Sequence, residues 1–148
     1  MLEGMAFVPQ DPNFEARVRA SFDRQGFMTL LNAHMTRCEP GLVEIVMPFS
    51  ATITQQHGFA HAAATTAILD SACGFAALTL MPEGAEVLSV EFKVNLLSPA
   101  VGESFRAVGR VTRAGRTITV CQGEVFAMQD HQEKTVAIMT ATMMRSQA

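Results

Sequence analysis

The spacing of apolar and polar residues changes period along the chain, and each change predicts an element. After Asp11-Pro12, Phe14, Val18 and Phe22 recur every four residues, with acidic residues early and arginines later. Proline near the start and this spacing predict one amphipathic helix ending near Gly26. The stretches MTLLNAHMTRC and LVEIVMPF, partly alternating, then flank Glu39-Pro40-Gly41. That turn signal predicts a hairpin. Residues 58–80, GFAHAAATTAILDSACGFAALTL, are apolar almost throughout and read as a long buried helix, halted at Met81-Pro82-Glu83-Gly84.

Beyond Gly84 the period becomes two. In VLSVEFKVNLL, alternation sets Leu88, Val90, Phe92, Val94 and Leu96 on a buried face and Ser89, Glu91, Lys93 and Asn95 on a polar one. SFRAVGRVTR likewise sends Phe105, Ala107, Gly109 and Val111 inward, with Arg106 and Arg110 outward. After Ala114-Gly115, the apolar parity slips between Ile118/Val120 and Val125/Ala127, which predicts a bulge at Gly123. The last run, KTVAIMTATMM, is apolar at both parities and reads as a strand covered on both faces.

Helix, hairpin, long helix and four consecutive strands make an α+β fold: an antiparallel sheet of about six strands wrapped around a long central helix. With 148 residues, 49% of them apolar, the chain reads as a single domain, 1–148, whose residues 1–25 form an N-terminal helical segment. A net charge of −3 without a basic stripe gives no expectation of a nucleic-acid partner. Cys38, Cys73 and Cys121 are odd in number and lack any CxxC, which fits a reducing cytoplasm. The acidic start does not resemble a signal peptide, and a central Asp70 argues against residues 58–80 spanning a membrane.

Asp70 is the only formal charge in that apolar helix. A carboxylate there is paired or functional, because an isolated buried charge costs several kcal/mol. A bond from Thr66 or from a backbone group would give it a structural role. Other polar groups gather where the helix begins: Gln55, Gln56, His57 and His61, with Gly58 among them. A helix N-terminus offers free N–H groups that polarise a carbonyl or hold an anion. His57 and His61 have HxxxH spacing but lack the acidic residue of a metal set, so no metal is expected. His61 and Asp70 lie half a turn and about 13 Å apart on one helix. A site using both therefore calls for two antiparallel copies of the helix, as in a two-fold dimer.

GFAHAAATTAILDSACG, with VLSVEFKVNLLSPA and RAGRTITV, resembles the hotdog-fold acyl-CoA thioesterases of the PaaI-like family over about residues 42–144. The resemblance implies hydrolysis of an acyl-CoA thioester to free acid and CoA, without a cofactor beyond the CoA of the substrate. It implies a homodimer or a dimer of dimers with sites shared between subunits. Asp70 matches the acidic catalytic residue, as nucleophile or general base, and Ala62 the residue whose N–H polarises the carbonyl. His61 matches the motif histidine, Gln55 an asparagine that orients the reacting groups, and Ser89 an assisting serine. Arg113 and Arg116, at a strand turn, are candidates for the CoA phosphates. Ala63, Ala67 and Gly74 keep the helix surface small, for a ligand or for close packing. Met139, Met143 and Met144 line an acyl pocket or fill the core. His61-Ala62-Ala63 stands where His-Gly-Gly is usual, which keeps the N–H but adds methyl groups. A non-catalytic acyl-CoA-binding module and an enoyl-CoA hydratase are the alternative activities on this fold.

Overall fold

The computed structural model describes residues 6–147; residues 1–5 of the expected N-terminal segment, and residue 148, lie outside the described residues. The chain runs α1 (Phe14–Asp23), α2 (Gly26–Leu30), β1 (His34–Glu39), β2 (Leu42–Pro48), a 3-10 turn (Ala51–Ile53), α3 (Ala62–Leu78), β3 (Ala85–Leu96), β4 (Ser104–Ala114), β5 (Ile118–Gln129) and β6 (Gln132–Gln147). The six strands form one antiparallel sheet in the order β1-β2-β4-β5-β6-β3. Helix α3 lies across its inner face, and the core is the layer between them.

The hairpin turns at Pro40-Gly41, where Gly41 has φ +76° and so takes a conformation that side chains disfavour. The helix preceding it is shorter than expected, and residues 28–30 of the predicted strand are helical instead. Val18 and Phe22 of α1 are buried, and Phe22 meets Phe75 of α3 edge-on at 5.8 Å. Met28 of α2 enters the same core. Helical period and core burial thus win over the weak alternation of MTLLNAHM.

The predicted bulge at Gly123 is absent. Gly123 pairs regularly with Gly109 and Met139, and Thr119, Cys121, Gly123, Val125 and Ala127 face inward without a break. Ile118 and Val120 simply belong to the outer face. The two glycines sit opposite each other because the helix descends onto them. A Cβ on Gly109 would lie 2.4 Å from the Ala72 carbonyl carbon, and one on Gly123 would lie 2.6 Å from Leu69 Cδ1. Strand β6 buries Met139, Ala141 and Met143 on one face only; Ile138 is exposed on the other. Met139 and Met143 are therefore core residues.

Strand β3 departs furthest from expectation. Leu88, Val90, Phe92 and Leu96, read as buried, are 53%, 54%, 42% and 56% exposed. Among the described residues β3 forms one edge of the sheet and pairs only with β6. Its register shifts between Ser89 and Glu91, so Val90 occupies a bulge. The bulge changes which side chains share a face. Ser89 is opposite buried Met143, while Phe92, Val94 and Leu96 are opposite buried Ala141, Met139 and Ala137. All four therefore face the helix side, and Ser89 leaves the polar face assigned to it by simple alternation.

Candidate functional site

Asp70 sits at mid-helix on the side of α3 that looks toward the β3 edge. It is half-buried, and Ser89 Oγ donates to its Oδ1 at 2.7 Å. The bulge at Val90 makes this contact, because without it Ser89 would point to the opposite face. Ser89 Oγ also lies 3.4 Å from Met143 Sδ, a weaker acceptor. Among the described contacts Ser89, rather than Thr66, holds the carboxylate, and no Lys, Arg or His forms an ion pair with it. One carboxylate oxygen is thus oriented, and the second remains available as a base.

A second group of residues forms the start of α3. His61 is its N-cap: its backbone N–H donates to Ile53 O at 2.7 Å, and its Nδ1 accepts from Ala63 N–H at 2.9 Å. A neutral His61 accepting at Nδ1 carries its proton on Nε2. Ala64 N–H donates to His61 O at 2.9 Å. The N–H groups of Ala63 and Ala64 are therefore occupied, whereas no acceptor among the described residues takes that of Ala62. A free N–H on the first residue of a 17-residue helix also lies at the positive end of the helix dipole.

The turn before the helix is drawn tight by Gln55. Its Oε1 accepts from His57 N–H, its N–H donates to Phe59 O at 2.9 Å, and its carbonyl accepts from Gly58 N–H at 3.1 Å. Gly58 closes the turn at φ +84°, which gives it a conformational role. Gln55 and Ala62 line one groove of about 510 Å³, walled by Phe59, Leu96, Leu97 and Val136. A groove mostly apolar with a few polar groups in its lining suits an apolar chain bearing a carbonyl. Another groove, of about 470 Å³, lies on the outer face of the sheet between Lys93, Arg110, Gln122 and Glu124, away from Asp70.

The structure brings together Asp70 with Ser89, and Gln55, His61, Ala62 and Ala63 with one another. It does not join the two groups within one chain, since Ala62 and Asp70 are eight residues apart on α3, about 12 Å along the axis. Arg113 and Arg116 are exposed near the opposite end of the helix, where Arg116 shares a cleft with Ala77 and Arg145. Ala63 is exposed at the helix start, and Gly74 packs toward Met143 Sδ. Among the described residues no three His, Cys, Asp or Glu side chains converge on a metal position.

Comparison with known proteins agrees with this geometry. The thioesterase superfamily matches residues 57–134, from the turn before α3 into β6. A crystal structure of a thioesterase family protein from Silicibacter pomeroyi is 47% identical, covers 91% of this chain and 99% of its own, and superposes with a TM-score of 0.89. PaaI of Escherichia coli, from the phenylacetic acid degradation operon, is 17% identical and shares the fold, with a TM-score of 0.81 over 93% of this chain and 96% of that one. A curated relative from Saccharolobus solfataricus, named "Putative esterase", is 28% identical over 94 residues, 64% of this chain and 66% of that protein. The chain thus spans just under two thirds of that relative. With a six-stranded sheet around α3 and a family match that begins at the turn feeding that helix, the chain belongs to the thioesterase superfamily, in the hotdog fold that it shares with PaaI.

Proposed function

We propose that this protein hydrolyses an acyl-CoA thioester to the free acid and CoA, acting as a dimer whose sites are shared between copies. The observation that carries the reading is the Asp70 carboxylate, half-buried, oriented by Ser89 and paired with no cation among the described residues. Asp70 takes a proton from water as the water oxygen attacks the thioester carbonyl carbon. The developing oxyanion accepts the Ala62 N–H, helped by the helix dipole. Collapse breaks the carbon–sulfur bond, and the CoA thiolate leaves and takes up the proton. Direct attack by Asp70 would pass through a mixed anhydride at the same carbon, with the same donor. His61 sets the helix cap that leaves the Ala62 N–H free, and Gln55 shapes the adjoining turn.

The exposed edge supports the shared site. Two β3 strands pairing antiparallel about a dyad near Phe92 bury the apolar edge and continue the sheet. Ser89 of one strand then faces the Asn95–Leu96 end of the other, where Leu96 borders the groove of Gln55 and Ala62. Asp70 of one copy thereby approaches Ala62 of the second. Phe92→Glu, which places a charge in this seam, shifts the mass in light scattering from twice 16.0 kDa toward 16.0 kDa and removes activity with it. A monomeric wild type, or an active monomeric variant, overturns the shared site.

The activity is tested by thiol release from a panel of acyl-CoA substrates. Cys38, Cys73 and Cys121 are free and buried; burial pushes the Cys38 thiol up to about 11, the Cys121 thiol up to about 12, and raises that of Cys73 as well. The folded protein's own thiols stay protonated at pH 8, so the reagent reports released CoA. Thiol release supports hydrolysis. Loss of enoyl absorbance without thiol release identifies a hydratase, and binding without either identifies a binding module. Among the described residues no helix is long and apolar enough to cross a membrane, and three free thiols suit the reducing cytoplasm in which we place the protein.

A further inference from the structure

Strand β3 carries two opposite charges near the middle of its open edge, Glu91 and Lys93, on either side of Phe92. Both are exposed on the outer face of the sheet, where Glu91 lies opposite Thr142 of β6 and Lys93 opposite Thr140. Neither forms an ion pair among the described residues. Each has a neutral partner instead: Glu91 Oε1 accepts from Thr142 Oγ1, and Lys93 Nζ donates to Asn95 Oδ1 at 2.7 Å. Arg110 and Glu124, the other charges of the outer groove, belong to β4 and β5, on the far side of β6.

The shared site proposed above requires one particular pairing of this edge with its copy. Directly opposite residues of an antiparallel pair point to the same face, so a two-fold seam is centred on a residue. Moving that centre by one residue slides the partner strand by two, about 7 Å. Such a slide keeps every side chain on its face. Centres on Glu91, Phe92 and Lys93 set Phe92 opposite Val90, Phe92 and Val94 in turn, all apolar. Hydrophobic burial therefore discriminates little among them. The charges do: a centre on Glu91 opposes two carboxylates, a centre on Lys93 opposes two ammonium groups, and a centre on Phe92 opposes Glu91 to Lys93 twice.

Register here is part of the site's geometry. Near one end of β3, Ser89 holds Asp70; at the other, Leu96 and Leu97 wall the groove that Gln55 and Ala62 line. A slide of about 7 Å therefore carries the Ala62 N–H of one copy that far from the Asp70 of the other. A general base and a carbonyl donor must meet at a single carbon, and a displacement of that size separates them.

We propose that Glu91 of each copy pairs with Lys93 of the other across the β3 seam, and that these two ion pairs select the register in which Asp70 of one copy meets Ala62 of the second. This rests on the shared-site reading above and makes Glu91 and Lys93 positioning residues for it. Light scattering over a dilution series compares wild type with Glu91→Lys, Lys93→Glu and the swap Glu91→Lys/Lys93→Glu. Each single reversal sets like charges opposite each other twice, and is expected to raise the dimer Kd about tenfold or more and to lower thiol release with it. The swap restores opposite charges and returns both properties to within about threefold of wild type. The register is read directly by disulfide formation, because directly opposite residues have Cα atoms about 4.5–5.5 Å apart, within reach of the bond. Glu91→Cys co-expressed with Lys93→Cys gives a disulfide-linked dimer, and neither variant alone does; the native thiols are buried, and wild type serves as the blank. This second measurement holds even where no dilution separates the copies. Dimers unaffected by the single reversals, a swap no better than either reversal, or cross-linking of one cysteine variant by itself overturns the proposal. A dimeric wild type with any of these results keeps the shared site and loses the ion pairs, whereas a monomeric wild type removes both. The expected pairing without thiol release leaves the seam standing and removes the hydrolase reading instead.

Discussion

Asp70→Asn lowers kcat for thioester hydrolysis by about a thousandfold, within the range that a positioned general base contributes. The substitution keeps the shape of the side chain, and its amide oxygen still accepts from Ser89 Oγ, so the bond at 2.7 Å in the native protein has a replacement. The unfolding midpoint therefore stays near that of the wild type, and acyl-CoA binding persists. Thiol release under saturating substrate, alongside calorimetric binding of a non-hydrolysable analogue, separates the two effects. Ser89→Ala is milder, about tenfold in kcat, because it removes one hydrogen bond to a charged group while leaving the carboxylate in place. Retention of activity within tenfold in Asp70→Asn would exclude this residue from the chemistry.

Gly109→Ala has the largest expected effect on stability. The added Cβ would stand 2.4 Å from the Ala72 carbonyl carbon and 2.5 Å from both Ala72 O and Cys73 N, all backbone atoms that cannot rotate away. Relief requires the helix to rise from the sheet, which disturbs a layer containing Leu69, Ala72, Cys73, Phe105 and Ala107, each buried. Overpacking of this sort costs about 3 kcal/mol. For a domain of this size that lowers Tm by about 10 °C. The same rise carries Asp70 away from Ser89, so kcat falls in the fraction that remains folded. Gly26→Ala, whose added Cβ meets nothing within 4 Å, serves as the comparison and keeps both properties.

The elements that could be read from the sequence are those whose pattern is local. Proline and glycine at 40–41 and 82–84 mark the turn and helix stop, and the alternation of Phe105, Ala107, Gly109 and Val111 reports a strand buried on one face. Asp70 was visible as a charge in an apolar run, and Ala62 through family likeness. The bulge at Val90 was not visible, because a register shift depends on the partner strand and leaves no mark in a run that alternates cleanly on paper. Simple alternation therefore puts Ser89 on the opposite face from the one it occupies. Gly123 carried the opposite error: its lack of a side chain serves the approach of Leu69, a non-local contact that resembles a bulge signal in sequence. Arg145 offered no motif at all, since its place beside Arg116 arises only when β6 crosses back past the β4–β5 turn.

The open β3 edge has a consequence for how the protein matures. A long strand whose outer backbone groups have no partner strand among the described residues and whose Leu88, Val90, Phe92 and Leu96 are exposed is a template for any extended chain that arrives first. Until that edge is covered, as in the dimer proposed above, each newly made copy is exposed to capture by unfolded neighbours, and the exposed charges of Glu91 and Lys93 stand within the apolar run as a partial guard. On the proposed dimer, yield of the native protein is set by a race between two bimolecular events, pairing and aggregation, and slower synthesis at lower temperature favours the first.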